Sequence, residues 1–199
     1  MFLTLLFSSP PLAFAWTIAI LISLTVHEFS HALVGKWKGD QTAEREGRLT
    51  LNPLAHVDLF GFIPLLLFGF GWAKPVPFNP YNLRNQKWGP ALVGLAGPAT
   101  NFAIAIVLAG IIRLNLFSFG IAEFLVRVLL INLSLGVFNL LPIPPLDGSR
   151  LMYVFLPRRL ERYKAMFEQY GMWVALLFVF FFSYLLMYPI EWIARILIG

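Results

Sequence analysis

The stretch PLAFAWTIAILISLTVHEFSHALVG, residues 11–35, decides the fold of this chain. Its first part, Pro11 to Val26, carries no charged side chain, and two histidines then follow with a glutamate between them. A helix needs about 20 apolar residues to cross a bilayer, so this stretch predicts a membrane-spanning helix. Because ionisable groups are costly inside a membrane, His27, Glu28 and His31 indicate a functional site.

The two histidines are four residues apart, which places them on the same face of a helix. This spacing lets His27 and His31 bind one zinc ion while the carboxylate of Glu28 reaches a water on the metal. The residues alone therefore point to a metalloprotease that works within the bilayer. The chain contains no cysteine, so any metal must be held by histidine and carboxylate side chains.

Composition independently indicates an integral membrane protein. Hydrophobic residues make up 59% of the 199 positions and charged residues 13%, outside the usual balance of a soluble domain. The net charge of +5 is explained by basic residues that flank the spans, and we exclude nucleic-acid binding. Pro10 and Pro11 interrupt the first apolar run, so we expect the N-terminal segment to be retained and not cleaved as a signal peptide.

Four apolar stretches are long enough to cross a bilayer as helices: residues 11–35, 89–112, 117–141 and 172–190. A fifth stretch, residues 59–73, is short, which favours a re-entrant or interfacial segment. It is interrupted by Gly61, Pro64, Gly69 and Gly71. We therefore predict an all-α polytopic membrane protein with about four transmembrane helices.

A short β element is expected at the membrane surface. The run from Arg48 to Asn52 alternates polar and apolar side chains and ends at Pro53, which is typical of a strand. Such a strand could hold an unwound substrate by edge pairing. Without a repeat or a linker, we expect one domain over residues 1–199, with a catalytic core at about 15–155 and a C-terminal span at about 170–190.

The basic residues predict the orientation in the membrane. If residues 59–73 do not cross, twelve of the 15 basic residues face one side, and the positive-inside rule places that side in the cytoplasm. Both termini are then outside, and a prokaryotic plasma membrane is the expected location. The twelve are Lys36, Lys38, Arg45, Arg48, Lys74, Arg84, Lys87, Arg150, Arg158, Arg159, Arg162 and Lys164.

A catalytic zinc usually has three protein ligands and one open position for water. The candidate for the third ligand is Asp147, in the sequence NLLPIPPLDG at residues 139–148. Its three prolines indicate a non-helical segment, which in the four-span topology returns to the side where the histidine-bearing helix ends. We expect one zinc per chain held by His27, His31 and Asp147, with Glu28 as the general base.

Three further polar residues are candidates for weaker roles. Asn139 or His56 could stabilise an oxyanion, although Asn139 can equally cap its helix and His56 is better explained as an interfacial hydrogen-bonding residue than as a metal ligand. Asn101 shares a narrow helix face with the small residues Gly94 and Gly97. It could hydrogen-bond to the catalytic helix or line a path for water.

Taken in order, these motifs resemble the site-2 protease family of intramembrane zinc metalloproteases. The resemblance rests on HEFSH at residues 27–31, on GPATN at residues 97–101, and on LDG at residues 146–148 with the asparagine and prolines before it. It covers about residues 15–155 and implies zinc bound by the three ligands named above. It also implies that Glu28 is the catalytic base and that Asn139 lies near the substrate.

The resemblance further implies a substrate that is a transmembrane or membrane-associated protein segment, within the lipid bilayer. The family usually has a second glycine after the Asp-Gly pair, where this chain has Ser149. No segment is long enough for a PDZ or nucleotide-sensing domain, so a minimal form is expected. The substrate, the regulator and the oligomeric state are not predicted.

Two other functions are compatible with ionisable residues in a membrane. A proton or ion transporter would also place His, Glu and Asp there, but it would not require the paired histidines together with a separate proline-flanked Asp147. A catalytically inactive scaffold would keep the fold and lose the metal. Zinc content and the effect of changing Glu28 distinguish these alternatives from a protease.

Overall fold

The computed structural model describes residues 6–68 and 72–199 of the chain. From Pro10 onwards these residues form seven helices connected by turns and irregular segments, together with three short 3-10 turns at Pro53–Ala55, Pro80–Asn82 and Arg158–Leu160. The helices are α1 (Pro10–Trp37), α2 (Thr42–Arg45), α3 (Leu59–Phe68), α4 (Gly89–Arg113), α5 (Phe119–Asn139), α6 (Gly148–Phe155) and α7 (Glu161–Ile198).

Four helices, α1, α4, α5 and α7, are long and apolar enough to cross a membrane. The prediction of four spans is therefore confirmed. Helix α3 has 10 residues in the described part of the chain, and a helix of that size is about 15 Å long, too short to cross the hydrocarbon core. Gly69 and Gly71 of the same apolar stretch lie outside the described residues.

Helix α1 turns polar side chains inward and apolar side chains outward. Ser23, His27 and His31 are buried, whereas Phe14 is 69% and Ile22 54% exposed. In lipid this is the stable arrangement, because hydrocarbon surrounds the apolar side chains while neighbouring helices supply hydrogen-bond partners to the polar face. The chain is an integral membrane protein.

Helix α4 lies at the centre of the bundle and contacts α1, α5, α6 and α7. Near its C-terminal half, Ala105 and Ala109 pack against Leu129 and Leu133 of α5 and against Ile190 of α7. Small residues on α4 let the neighbouring helices approach closely, as is common in membranes. This apolar cluster fixes three of the four spans relative to one another.

The predicted β element is wrong. The segment from Arg48 to Asn52 consists of bends and irregular backbone, and no strand occurs in residues 6–68 or 72–199. Arg48 is buried, and its guanidinium donates to the carbonyl oxygens of Lys74 and Pro75. The alternating pattern arises because this arginine points inward to hold a neighbouring loop. The edge-pairing hypothesis for this segment therefore has no structural basis.

The loop held by Arg48 is residues 74–79, which we call the covering segment. It is irregular and extended, and it runs from the end of the α3 region towards α4. Arg48 fixes its first residues, and Asp40 fixes its last residue by accepting the backbone N–H of Asn79 at 2.7 Å. Val76, in the middle of the segment, packs against Ala32 of α1. The covering segment is thus fixed at both ends.

Asp40 is a buried carboxylate that accepts several hydrogen bonds. The hydroxyl of Thr42 donates at 2.6 Å and the side-chain amide of Asn82 at 3.0 Å, in addition to the N–H of Asn79. Burial by itself would raise the pKa of Asp40, but these donors outweigh burial and hold the pKa below its usual value. The resulting stabilisation is present above the ordinary carboxyl pKa and is lost as the pH falls through the lower pKa of the folded state.

Replacement of Asp40 by alanine should lower the free energy of unfolding by about 2–3 kcal/mol at pH 7, because several buried donors lose a charged acceptor. The loss can be measured from thermal unfolding in detergent micelles, followed by circular dichroism. The difference between wild-type protein and Asp40→Ala should begin to shrink as the pH falls below the ordinary carboxyl pKa, where the unfolded chain takes up a proton, and should be lost once the pH falls through the lower pKa of the folded state.

Glu44→Ala is the matched control for this measurement. Glu44 forms an ion pair with Lys36 at 2.6 Å, but both side chains are 41% exposed. Exposed pairs contribute at most about 1 kcal/mol, so this variant should remain close to wild type. Equal losses in the two variants at pH 7 would contradict the role assigned to Asp40.

Candidate metal centre

Three side chains from distant parts of the chain meet at one point inside the bundle. Nε2 of His27 lies 3.1 Å from Nε2 of His31 and 3.1 Å from Oδ2 of Asp147. Nε2 of His31 is also 3.1 Å from the same carboxylate oxygen. All three residues are buried, and within the described residues they are the group whose donor atoms could hold a metal ion.

The spacing of these three donor atoms fits a zinc ion. Ligands about 2.0–2.1 Å from a tetrahedral zinc are separated by about 3.3 Å, close to the 3.1 Å observed here. Two imidazoles and one carboxylate are also a donor set of catalytic zinc sites that keep a fourth position open. The residues present therefore fit this cofactor.

Two local features of the chain bring the ligands together. Helix α1 presents His27 and His31 on one face because they are separated by one helical turn. Helix α5 ends at Asn139, and a proline-rich turn then leads to Asp147, the residue at the N-cap of α6. The contact between His27 and Asp147 joins residues 120 positions apart, so the site exists only in the folded bundle.

The outer nitrogens of both histidines are hydrogen-bonded to α4. Nδ1 of His31 lies 2.7 Å from the carbonyl oxygen of Val93, and Nδ1 of His27 lies 2.6 Å from Oδ1 of Asn101. Because a carbonyl oxygen can only accept, Nδ1 of His31 carries the proton and its Nε2 presents a lone pair to the centre. Such outer contacts orient metal ligands and raise their affinity.

Gly97 of α4 lies directly beside the three donor atoms. A methyl group at this position would be 2.5 Å from Cε1 of His27 and 2.5 Å from Nε2 of His31. These distances are much shorter than any normal contact, so only glycine fits here without displacing a ring. The absence of a side chain at Gly97 lets α4 approach α1 closely and still leaves space beside the two histidines.

Glu28 lies on α1 next to the first histidine and is 9% exposed. Its Oε2 accepts the backbone N–H of Val76, in the covering segment, at 3.1 Å. This hydrogen bond fixes one oxygen of the carboxylate. The contact also explains why the covering segment lies over this part of α1.

Arg150 of α6 approaches the carboxylate of Asp147 from the other side. Its Nη1 is 3.6 Å from Oδ1, whereas Oδ2 faces the two imidazoles. The guanidinium also lies over the ring of Phe78, 4.5 Å from its centroid. The two oxygens of Asp147 therefore have different environments, and the arginine connects this aspartate to the covering segment.

The weaker sequence candidates occupy separate positions. Asn101 makes the predicted hydrogen bond across to the catalytic helix, through His27. The amide nitrogen of Asn139 donates to the carbonyl of Leu135 within its own helix. His56 is buried, and its Nε2 donates to the carbonyl oxygen of Thr50 at 2.9 Å. A role of Asn139 or His56 towards substrate stays a prediction.

The sequence analysis missed three residues that surround the centre. Asn132 is fully buried and hydrogen-bonded to Asn101, and a lone amide within an apolar span is a signal that could have identified it. Arg150 follows the metal-ligand motif by three residues and could have been noted for its charge. Val76 acts through its backbone N–H, which no side-chain pattern marks.

Comparison with known proteins agrees with this geometry. Residues 109–182 match the model of "Peptidase family M50". The chain is 39% identical over 163 residues to "Putative zinc metalloprotease YwhC" of Bacillus subtilis (strain 168), covering 77% of this chain and 74% of that protein. No solved structure matches the chain.

Two other relatives are longer than this chain. "Putative zinc metalloprotease Rip2" of Mycolicibacterium smegmatis is 35% identical over 163 residues, covering 76% of this chain and 61% of that protein. "Zinc metalloprotease MJ0392" of Methanocaldococcus jannaschii is 29% identical over 144 residues, covering 71% of this chain and 34% of that protein. The chain thus spans only part of these two relatives.

The identity with YwhC extends over most of both chains, which is sufficient to assign the family. The four apolar helices and the buried group of two histidines and one aspartate agree with a membrane protein whose cofactor is zinc. The resemblance noted from the three sequence motifs is therefore confirmed. This chain belongs to peptidase family M50, the site-2 protease family of membrane-embedded zinc metalloproteases.

Proposed function

We propose that this chain hydrolyses a peptide bond in transmembrane or membrane-associated protein segments. In this proposal zinc is held by His27, His31 and Asp147, and Glu28 is the general base. The observation that carries the proposal is the triangle of donor atoms inside an apolar helix bundle, with Glu28 on the same helix as two of the ligands. Residues 15–155 would form the catalytic core of a single domain.

The chemistry follows from the groups at the site. When bound, zinc supplies a Lewis acid that activates water and polarises the scissile carbonyl. The N–H of Val76 holds Oε2 of Glu28, which leaves Oε1 to take a proton from the attacking water. The same oxygen then passes that proton to the leaving amine.

The surroundings of the site support a substrate that lies in the membrane. The outer surface of the bundle is strongly apolar, and on α7 Phe180 is 81% and Phe181 57% exposed. The peptide bonds of an intact helix are shielded by the hydrogen bonds of that helix. A substrate segment must therefore unwind before Glu28 and the metal can act on it.

Metal content tests the assignment of ligands. Purified wild-type protein should contain one zinc per chain, and His27→Ala or Asp147→Ala should remove it, because two ligands alone bind zinc weakly. Elemental analysis after dialysis against a chelator gives the stoichiometry. Zinc retained in both variants would exclude the proposed centre.

The variant Glu28→Gln tests the role of the base. Glutamine keeps an oxygen that can accept the N–H of Val76, so the fold and the zinc content should not change. Proteolysis of a membrane-protein substrate should fall by about 100- to 10,000-fold, because the proton acceptor is lost. Full proteolysis by this variant would show that Glu28 is not the general base. Wild-type protein that contains zinc but cleaves no substrate would instead indicate a catalytically inactive scaffold.

Gly97→Ala tests the space at the metal centre. The added methyl group would overlap the rings of His27 and His31, so zinc affinity should fall by about 10- to 100-fold. The control is Gly110→Ala on the same helix, where a methyl group meets nothing within 4 Å. Equal zinc affinity in the two variants would contradict the close approach of α4.

We further propose that the basic loops and the opening of the active site face the cytoplasm, with both termini outside. Because the chain has no cysteine, single cysteines can report the orientation. A membrane-impermeant thiol reagent applied to intact cells should label Leu116→Cys, between α4 and α5, and spare Lys38→Cys, after α1. After lysis both variants should react, and the reverse pattern in intact cells would invert the proposed topology.

A further inference from the structure

A series of buried, hydrogen-bonded polar side chains begins at the candidate metal centre and crosses three helices. His27 of α1 contacts Asn101 of α4 at 2.6 Å, Asn101 contacts Asn132 of α5 at 2.9 Å, and Asn132 returns to Ser23 of α1 at 3.0 Å. Both asparagines have exposed fractions of 0%, and that of Ser23 is 2%. Polar groups this deep in an apolar bundle must be fully hydrogen-bonded, so their orientations are constrained.

The donor-to-acceptor direction of these hydrogen bonds is determined at Asn132. Besides Ser23, its side chain contacts the backbone carbonyl oxygen of Val128, at 2.9 Å. A carbonyl oxygen accepts and never donates, so the atom of Asn132 that faces it must be the amide nitrogen. The amide oxygen of Asn132 then faces Asn101 and accepts a hydrogen bond from it.

The orientation of Asn132 in turn determines the orientation of Asn101 and the tautomer of His27. Because Asn101 uses its nitrogen to donate to Asn132, its oxygen is turned towards Nδ1 of His27. That ring nitrogen must carry the proton, which leaves the lone pair on Nε2, the atom that faces the other two ligands. His31 obtains the same tautomer directly from the backbone carbonyl of Val93. Only one of the two histidines therefore depends on side chains for its tautomer.

A competing arrangement exists for His27. If the amide of Asn101 rotated by half a turn, its nitrogen would donate to Nδ1, and the ring would carry its proton on Nε2. That proton would point at the carboxylate of Asp147, 3.1 Å away, which favours this state when no metal is present. Nε2 could not then bind zinc. Asn132 opposes this rotation because it accepts a hydrogen bond only from the nitrogen of Asn101.

We propose that Asn132 is a positioning residue that fixes the metal-binding tautomer of His27 through Asn101 and thereby raises the affinity of the site for zinc. The inference rests on the proposed function, since it takes His27 as a zinc ligand. The hydrogen bonds of Asn132 go to Asn101, Ser23 and Val128, and none goes to a proposed metal ligand or to Glu28. Asn132 influences the tautomer of His27 only through the orientation that its hydrogen bond gives to the amide of Asn101.

The measurement is the dissociation constant for zinc, from competition with a chromogenic chelator in detergent. Asn101→Leu should weaken binding by about 10- to 100-fold, the usual effect of losing an outer partner of a histidine ligand. Asn132→Leu should weaken it by about three- to tenfold, because part of the protein then adopts the wrong tautomer. The double variant should match Asn101→Leu, since Asn132 acts only through Asn101.

Two control variants separate this role from simple helix packing. Ser23→Ala removes the last member of the series of hydrogen-bonded side chains but keeps the carbonyl of Val128 as an acceptor for Asn132. Zinc affinity should therefore stay within about twofold of wild type. Thr100→Val removes another hydrogen bond between α4 and α1, the 2.8 Å contact with Ser30, and should likewise leave affinity unchanged. A loss of affinity in either variant equal to that in Asn132→Leu would overturn the proposal.

A spectroscopic readout begins with the wild-type protein. The chain has three histidines, so selective 15N-histidine labelling of the zinc-loaded protein gives a simple spectrum. His27 and His31 should each show a hydrogen-bonded Nδ1–H, and in Asn132→Leu the signal of His27 should shift and exchange faster while that of His31 does not. Absence of an Nδ1–H on His27 in wild-type protein would overturn the proposal, even if the variants do not fold.

The outcomes also distinguish the two proposals. If His27→Ala keeps its zinc, the ligand assignment fails and the inference about Asn132 fails with it. If His27→Ala loses zinc but Asn132→Leu binds it within twofold of wild type, the metal site stands and the positioning role is excluded. Additive losses in the double variant would also exclude it, because they would show that the two asparagines act independently.

Discussion

The close approach of α4 to α1 at Gly97 is the constraint on which the metal centre depends. Two imidazoles one helical turn apart on α1 need a neighbour that leaves them space and also supplies hydrogen-bond acceptors for their outer nitrogens. A glycine backbone provides the space, and the carbonyl of Val93 and the amide of Asn101, one on each side of Gly97, provide the acceptors. The same stretch of α4 therefore shapes the space beside the two histidines and orients both rings.

The membrane makes this arrangement possible and also makes it necessary. In water, a helix that buries Ser23, His27 and His31 while exposing Phe14 would not be stable, because burial of apolar surface drives folding there. In hydrocarbon that driving force between helices is absent, so polar contacts and close packing of small residues hold the bundle together. Stability and chemistry consequently use the same polar residues.

Much of the architecture could be predicted from the sequence, because long apolar stretches and paired histidines follow simple periodicities. The four spans are of this kind, and the convergence of Asp147 with the histidines follows from the topology that those spans imply. The segment from Arg48 to Asn52 shows where the approach fails: alternation predicts a strand only if the polar residues face solvent, and Arg48 faces a loop.

The residues that orient the site were harder to find. Asn132 and Asn101 meet only after α4 and α5 pack, and nothing in the spacing of two isolated asparagines reveals which atoms face each other. The backbone N–H of Val76 has no side-chain signature at all. Such contacts have no local sequence signature, whereas the candidate metal ligands belong to two short motifs, one in a helix and one in a turn, that can be recognised before the helices pack.

The covering segment has a further property that follows from its two prolines. Pro75 and Pro77 lack backbone N–H groups, so Val76 has the single donor of this tripeptide, and that donor is already engaged by Glu28. The carbonyl oxygens of Lys74 and Pro75 are likewise engaged, by Arg48. Residues 75–77, next to the carboxylate of Glu28, therefore offer an incoming extended polypeptide no free backbone donor with which to pair.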